Sequence, residues 1–350
     1  MWLRLLIILN FSFLIFNCHS YGQRLIGIAF YDVDRIYDTV PALFYDDADY
    51  TPEGRLHWTA ERYARKIRNT AAVIDSMALP LVALWGVENE QVVRDIAAAC
   101  RGDYSYLHRT LNSLDGMDFA LLYYGDLFYP TRDAPGRRYL YVEGELGRDT
   151  VGLALCGDAR MAQWVVRDLR AERPHVKLIV LGRSDLPDPG RWGLRDATRR
   201  AEQAGRGTVR RSGRWQMRDR ILADTALTTS EGDVFARRYL VDQKSGNPLT
   251  TYSRGVYRGG YGYSLPVFIY IRKNFLDISK SFRIFAIPST EMHFTDAVTE
   301  TSPQFFGFKG EVKEKIFYIY TIIQNQKSYG RRKTGLYLRQ QRGRRKRQNA

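Results

Sequence analysis

"RLIGIAFYDVDRIYDT", residues 24–39, is the stretch from which the rest of the chain is read. Residues 25–30 form a short apolar run with β-branched content, the pattern of a strand buried on both faces. The run continues into Asp32 and Asp34, so a buried element delivers carboxylates at its end. Residues 51–58 are rich in turn formers. From Thr59 onward, Tyr63, Ile67, Ala71 and Ile74 fall at spacings of four, four and three, which predicts one apolar face of a helix.

Further out, the apolar runs predict strands over 79–85, 118–124, 139–143, 150–156, 176–181, 220–223 and 266–271. Helices are predicted over 90–100 and 159–169. Strands outnumber helices and interleave with them irregularly, which predicts a layered α/β fold with mixed sheets. No internal repeat is visible.

The chain has 350 residues, room for one large domain or two small ones. Its formal charge of +15 is unevenly placed: residues 327–347 hold ten Lys and Arg and no acid, and the remainder carries only about +5. Such a block reads as a solvated tail, and its phosphate-binding chemistry makes nucleic acid or another anionic surface the partner class to expect. Up to residue 271 there are three lysines, Lys66, Lys177 and Lys244, against 33 arginines; beyond it there are eight lysines and nine arginines. That switch marks 272–350 as an atypical C-terminal extension with a basic, disordered end. At the other terminus, Arg4 precedes an apolar run over 5–16, too short to span a bilayer as a helix. The layout predicts a signal peptide over 1–22, cut before Gln23, and export to a periplasm or the outside of the cell. Cys18 offers a lipoprotein alternative, which Asn17 disfavours. Cys100 and Cys156 remain as buried thiols or as a disulfide pair.

Six stretches, in order, resemble the endonuclease/exonuclease/phosphatase family, the deoxyribonuclease I-like fold. "FYDVDRIYDT" (30–39), followed by "DDADYTPEGRLHWTAERYARKIRN" (46–69), is similar to a bacterial first-strand motif of the "YNVENLFDT" type. "PLVALWGVENEQVVRDI" (80–96) resembles "ALQEVEN", and "DGMDFALLYYGDLFYP" (115–130) resembles "RGIDVALLY". "VKLIVLGRSDLPDPG" (176–190) is similar to "IIIMGDFNDEP". Weaker likenesses are "RSGRWQMRDRIL" (211–222) to "WDMLDQI" and "YRGGYGYSLPVFIY" (257–270) to "GGYSDHFPV". The resemblance implies a four-layer α/β sandwich of two packed mixed β-sheets flanked by helices, occupying residues 23–271.

It also implies metal-dependent phosphoester hydrolysis, in which magnesium or manganese is held by carboxylates and a histidine–aspartate pair handles the attacking water. Carried over position by position, most of that machinery is missing. The first-strand asparagine falls on Asp32 and the metal-binding glutamate on Gly86. The phosphate-contacting histidine falls on Gly157, next to Cys156. The "GDFND" aspartate falls on Arg183, with its asparagine on Asp185, and the "SDH" aspartate and histidine fall on Tyr263 and Ser264. Asp219 is retained in the "LDQ" position and Asp118 in the structural "GIDVALLY" position. Arg183 would repel a divalent ion, and pairing with Asp32 or Asp219 would let it replace part of the ion's charge.

The expectation is therefore a non-catalytic binding protein without a cofactor. The alternative is an active Mg- or Mn-dependent phosphodiesterase or endonuclease built on displaced carboxylates. Its metal ligands would be Asp32, Glu88 and Asp219, joined by Asp34, with Asp219 and Asp185 as catalytic acids. Glu88 lies two residues past Gly86 and would share its side in a regular strand. His108, otherwise read as a surface residue, is the nearest candidate base.

Overall fold

The computed structural model describes residues 21–111, 113–147 and 149–276, with side chains within 25–272. The predicted leader, 1–22, and the predicted C-terminal extension, 272–350, thus lie almost wholly outside the described residues. These all belong to the first of two compact units, 1–285; the second, 286–350, is outside them.

Among the described residues sixteen strands follow one another, first Tyr21–Ile36 (β1), Leu81–Val87 (β2), Ser105–Arg109 (β3), Asp118–Tyr123 (β4), Phe128–Gly136 (β5) and Tyr139–Leu146 (β6). Then come Asp149–Cys156 (β7), Lys177–Gly182 (β8), Leu194–Asp196 (β9), Val209–Arg211 (β10) and Arg214–Gln216 (β11). The last are Arg220–Asp224 (β12), Asp233–Val234 (β13), Tyr252–Ser253 (β14), Val256–Tyr257 (β15) and Val267–Leu276 (β16). Among the described residues four α-helices intervene: Ala60–Met77 (α1), Glu90–Ala99 (α2), Ala159–Glu172 (α3) and Arg199–Gln203 (α4).

Two six-stranded sheets result, in the orders β13-β16-β1-β2-β4-β3 and β5-β6-β7-β8-β12-β9. Both are mixed. β1 runs parallel to β2 (Ile28 opposite Leu81) and antiparallel to β16 (Ile26 opposite Ile271); in the second sheet only β7 and β8 run parallel (Leu153 opposite Ile179). This is the expected architecture of two mixed sheets with few helices.

Period-two alternation sorts the second sheet's side chains between two cores. Leu140, Val142, Leu153, Leu155, Ile179 and Leu181 join the main cluster with residues of the first sheet. Their neighbours Tyr141, Ala154, Cys156, Leu178 and Val180 pack instead with Ala162, Val165 and Val166 of α3. Each long helix starts where a polar side chain accepts a free backbone N–H: Thr59 from Arg62, Asn89 from Val92 at 3.1 Å, and Asp158 from Met161 at 2.9 Å. No described helix is long and apolar enough to cross a membrane. Cys100 and Cys156 are free thiols, and burial pushes the Cys100 thiol up to about 12.

The central strands are irregular where they leave the core. The β1–β2 pairing shifts register between Asp32 and Ile36, and the β2–β4 pairing shifts between Trp85 and Val87. Asp34 and Arg35 both take left-handed backbone (φ 63° and 54°), and Gly86 opposite them has φ 94°. A Cβ at Gly86 would stand 3.1 Å from the Arg35 backbone nitrogen. Facing bulges of this kind bend the strands and re-aim the side chains at their ends.

Candidate functional site

The bent ends of β1 and β2 floor a cavity of about 370 Å³. Five arginines reach its wall: Arg35, Arg138, Arg183, Arg211 and Arg218. They come from the β1 bulge, the turn before β6, the segment after β8, the end of β10 and the segment before β12. Three carboxylates accompany them: Asp32, Asp34 and Asp115.

Asp32 is the centre of the arrangement and is only 4% exposed. Its Oδ1 accepts the Asp34 N–H at 3.2 Å, and its Oδ2 accepts from Arg218 Nη2 at 3.3 Å. Arg183 Nη2 approaches the same Oδ2 to 3.6 Å, an ion pair longer than a hydrogen bond. The guanidinium of Arg218 lies over the Tyr263 ring, 4.2 Å from its centroid, and the Tyr263 backbone N–H donates to the Asp32 carbonyl at 3.0 Å.

Asp219 stands behind this layer, 1% exposed. Ser264 Oγ donates to its Oδ2, while its Oδ1 is buried without a hydrogen-bond partner. Thr208 Oγ1 accepts the backbone N–H groups of Arg218 and Asp219 at 3.1 and 3.2 Å, fixing the loop that carries both. Burial pushes the Asp32 carboxyl above the usual carboxylate range; Asp219 pushes the same way, and Arg218 pulls back. Burial likewise raises Asp219, against Arg218 and the Ser264 hydroxyl.

The expected site residues divide. Asp32, Asp219, Arg183, Tyr263 and Ser264 converge. Gly157 does not line the cavity; it lies against Arg138, which does, and a Cβ placed at Gly157 would stand 3.2 Å from the Arg138 carbonyl oxygen. Asp185 does not join them; its side chain is 74% exposed and faces Arg220 Nε at 3.3 Å. Glu88 is also elsewhere. The bulge at Gly86 breaks the alternation expected of a regular strand, and the Glu88 carboxylate turns to the Asp38 N–H (2.6 Å) and the Tyr45 hydroxyl (2.9 Å). His108 is buried rather than superficial, with Nε2 3.0 Å from Asp118 Oδ2, and it does not line the cavity. Arg218 was not singled out in the sequence, although it immediately precedes Asp219 in "QMRDRIL".

A divalent cation does not fit this donor set. Hard cations take several oxygen ligands, whereas the accessible carboxylate oxygen of Asp32 faces two guanidiniums and Gly86 supplies nothing. Among the described residues no three His, Cys, Asp or Glu side chains are grouped to hold an ion.

Residues 27–152 match the sequence model of the "Endonuclease/Exonuclease/phosphatase family". The match ends before Arg183, Arg218 and Asp219. A search of curated proteins returns no match. Among solved structures, the chain is similar to an endonuclease/exonuclease/phosphatase family protein from Bacteroides thetaiotaomicron (12% identity, 72% of this chain and 96% of that one, TM-score 0.47). It is also similar to the mannosyl-6-phosphatase Bt3783 of Bacteroides thetaiotaomicron VPI-5482 (12% identity, 70% and 99%, TM-score 0.47). A third is the endonuclease/exonuclease/phosphatase from Bacteroides vulgatus (11% identity, 71% and 98%, TM-score 0.47).

Proposed function

We propose that the chain, whose residues 27–152 match the sequence model of the endonuclease/exonuclease/phosphatase family, is an exported member of that family that has exchanged metal-dependent hydrolysis for binding. One observation carries the reading: the Asp32 carboxylate is paired by Arg218 at 3.3 Å and approached by Arg183 at 3.6 Å. Two positive charges stand where the family's chemistry would place one doubly charged ion. They balance a buried acid that would be costly to leave unpaired, and they exclude the ion that would generate a nucleophile from water.

Other groups support the same reading. Gly86 and Gly157 have no side chains to offer. Ser264, in the histidine position of the resemblance, donates to Asp219 and is 3% exposed, so no imidazole stands there to take a proton. The displaced-carboxylate alternative needs Glu88 and Asp185 at the site, and both are committed elsewhere. Export rests on the leader-like residues 1–22 alone.

The test is hydrolysis by the purified full chain of plasmid DNA, RNA and a chromogenic phosphodiester, with magnesium or manganese and with a chelator. The expected outcome is no turnover above the chelator control. Metal-dependent turnover that disappears in Asp219→Ala would contradict the proposal.

A further inference from the structure

We infer that the cavity over Asp32 is a metal-independent binding site for the phosphoryl group of a small molecule, held by Arg183, Arg211 and Arg218. The inference rests on the non-catalytic reading and adds a ligand class to it. Its ground is the mismatch between this wall and a cation.

The arginines hold more donors than the protein uses. A guanidinium carries five N–H donors in a fixed fork and accepts nothing. Arg35 and Arg138 already face carboxylates, Asp115 at 3.7 Å and Asp158 at 3.0 Å. Asp34 is occupied by the Thr251 N–H at 2.6 Å. The remaining three are underused. Arg218 spends Nη2 on Asp32, but its Nη1 is buried with no hydrogen-bond partner. Arg183 reaches Asp32 only at ion-pair distance. The Arg211 side chain makes no hydrogen bond or ion pair among the described residues. Asp32 cannot satisfy three guanidiniums, and a buried donor left unmade is unfavourable. A tetrahedral oxyanion supplies the missing acceptors, since its oxygens match the guanidinium fork pairwise.

Size and shape narrow the occupant. About 370 Å³ lies at the small end of ligand cavities, enough for a phosphoryl group and a modest substituent. Tyr263 lines this cavity and also a neighbouring one of about 680 Å³, and it is 42% exposed. A ring next to the phosphoryl group would lie against that phenol, whose other neighbour is the Arg218 guanidinium.

The experiment is calorimetric titration of the full chain with inorganic phosphate and with phenyl phosphate, in chelator and then with added magnesium. The expected result is saturable binding of both in chelator, tighter for phenyl phosphate. Arg211→Ala and Arg183→Ala should each weaken it about tenfold or more. Arg211 is exposed and without a side-chain partner, so its removal leaves the fold intact. Arg258→Ala should change nothing, because Arg258 lines the neighbouring cavity and pairs with Asp242 at 2.8 Å. Absence of binding by the folded wild type would overturn the site and leave the non-catalytic reading standing. Equal loss in Arg211→Ala and Arg258→Ala would replace it with diffuse attraction to a basic surface. Binding only with magnesium would overturn it too, and phenyl phosphate turnover in that arm would overturn the non-catalytic reading as well.

Discussion

Lys66 is 1% exposed, and its ammonium donates to the Tyr261 carbonyl at 2.6 Å. It ties α1 to the segment that delivers Tyr263 and Ser264, with Asn69 helping through the Gly259 carbonyl at 2.9 Å. Burial lowers its pKa to about 8, outweighing the support it receives from Asp34 and Asp32. In the unfolded chain a lysine titrates near ~10.4. Between those values the unfolded chain holds the proton and the folded chain does not, so this group makes stability rise with pH from about 8 toward ~10. Lys66→Met removes the titration at similar volume, and the Tyr261 carbonyl keeps the Tyr31 hydroxyl at 2.8 Å. Urea midpoints across that window should climb in the wild type and stay flatter in Lys66→Met; equal slopes would exclude a depressed Lys66.

At this scale the sequence made part of the site legible. Asp32, Asp219 and Arg183 were marked by their places in recognisable stretches. Arg211 and Arg218 were not. They sit among 33 arginines before residue 271, and only the fold distinguishes a guanidinium aimed at a buried acid from one aimed at water. Glu88 misled for a physical reason: period-two reasoning assumes a regular strand, and the strand bulges two residues earlier.

Those bulges govern the elements. Gly86 at φ 94° faces the Arg35 backbone, and a Cβ there is tight at 3.1 Å. Putting back the glutamate that the family resemblance would place there is therefore not a simple restoration. Gly86→Glu should lower stability by about 1–3 kcal/mol through left-handed backbone and crowding, measured by urea unfolding, and should confer no magnesium-dependent stabilisation. A stable, magnesium-responsive Gly86→Glu would mean that the bulge relaxes freely.

The long elements were readable because packing and pattern agree in them. The predicted helix from Thr59 is α1, Ala60–Met77, and the run predicted at 118–124 is β4, Asp118–Tyr123. Two of the elements missed are edge strands of the large sheets. β5, Phe128–Gly136, contains Pro130 and Pro135 and pairs only with β6. Proline is tolerated there because an edge strand leaves one row of N–H groups unpaired, yet the same residues erase the strand signal. β3, Ser105–Arg109, is the other sheet's edge and lacks a continuous apolar run.

Across the whole molecule, two mixed sheets bring segments from far apart in the chain to one bent rim. Asp32 comes from β1, Arg183 follows β8, Arg218 and Asp219 precede β12, and Ser264 precedes β16. The same topology that would assemble a carboxylate cage here assembles an arginine wall around one buried acid and its neighbour. The fold was legible because it rests on apolar periodicity over the long strands. What the rim does was less so, because it rests on a few side chains whose bearings depend on two bulges.

The central claim is that guanidiniums stand in for the cation. Titrating magnesium and manganese into the chelator-stripped full chain, with calorimetric detection, tests it most directly. The account predicts no saturable binding at the Asp32 site. Saturable binding that is lost in Asp32→Asn and strengthened in Arg183→Ala would contradict it, because the acids would then be holding an ion against the arginines.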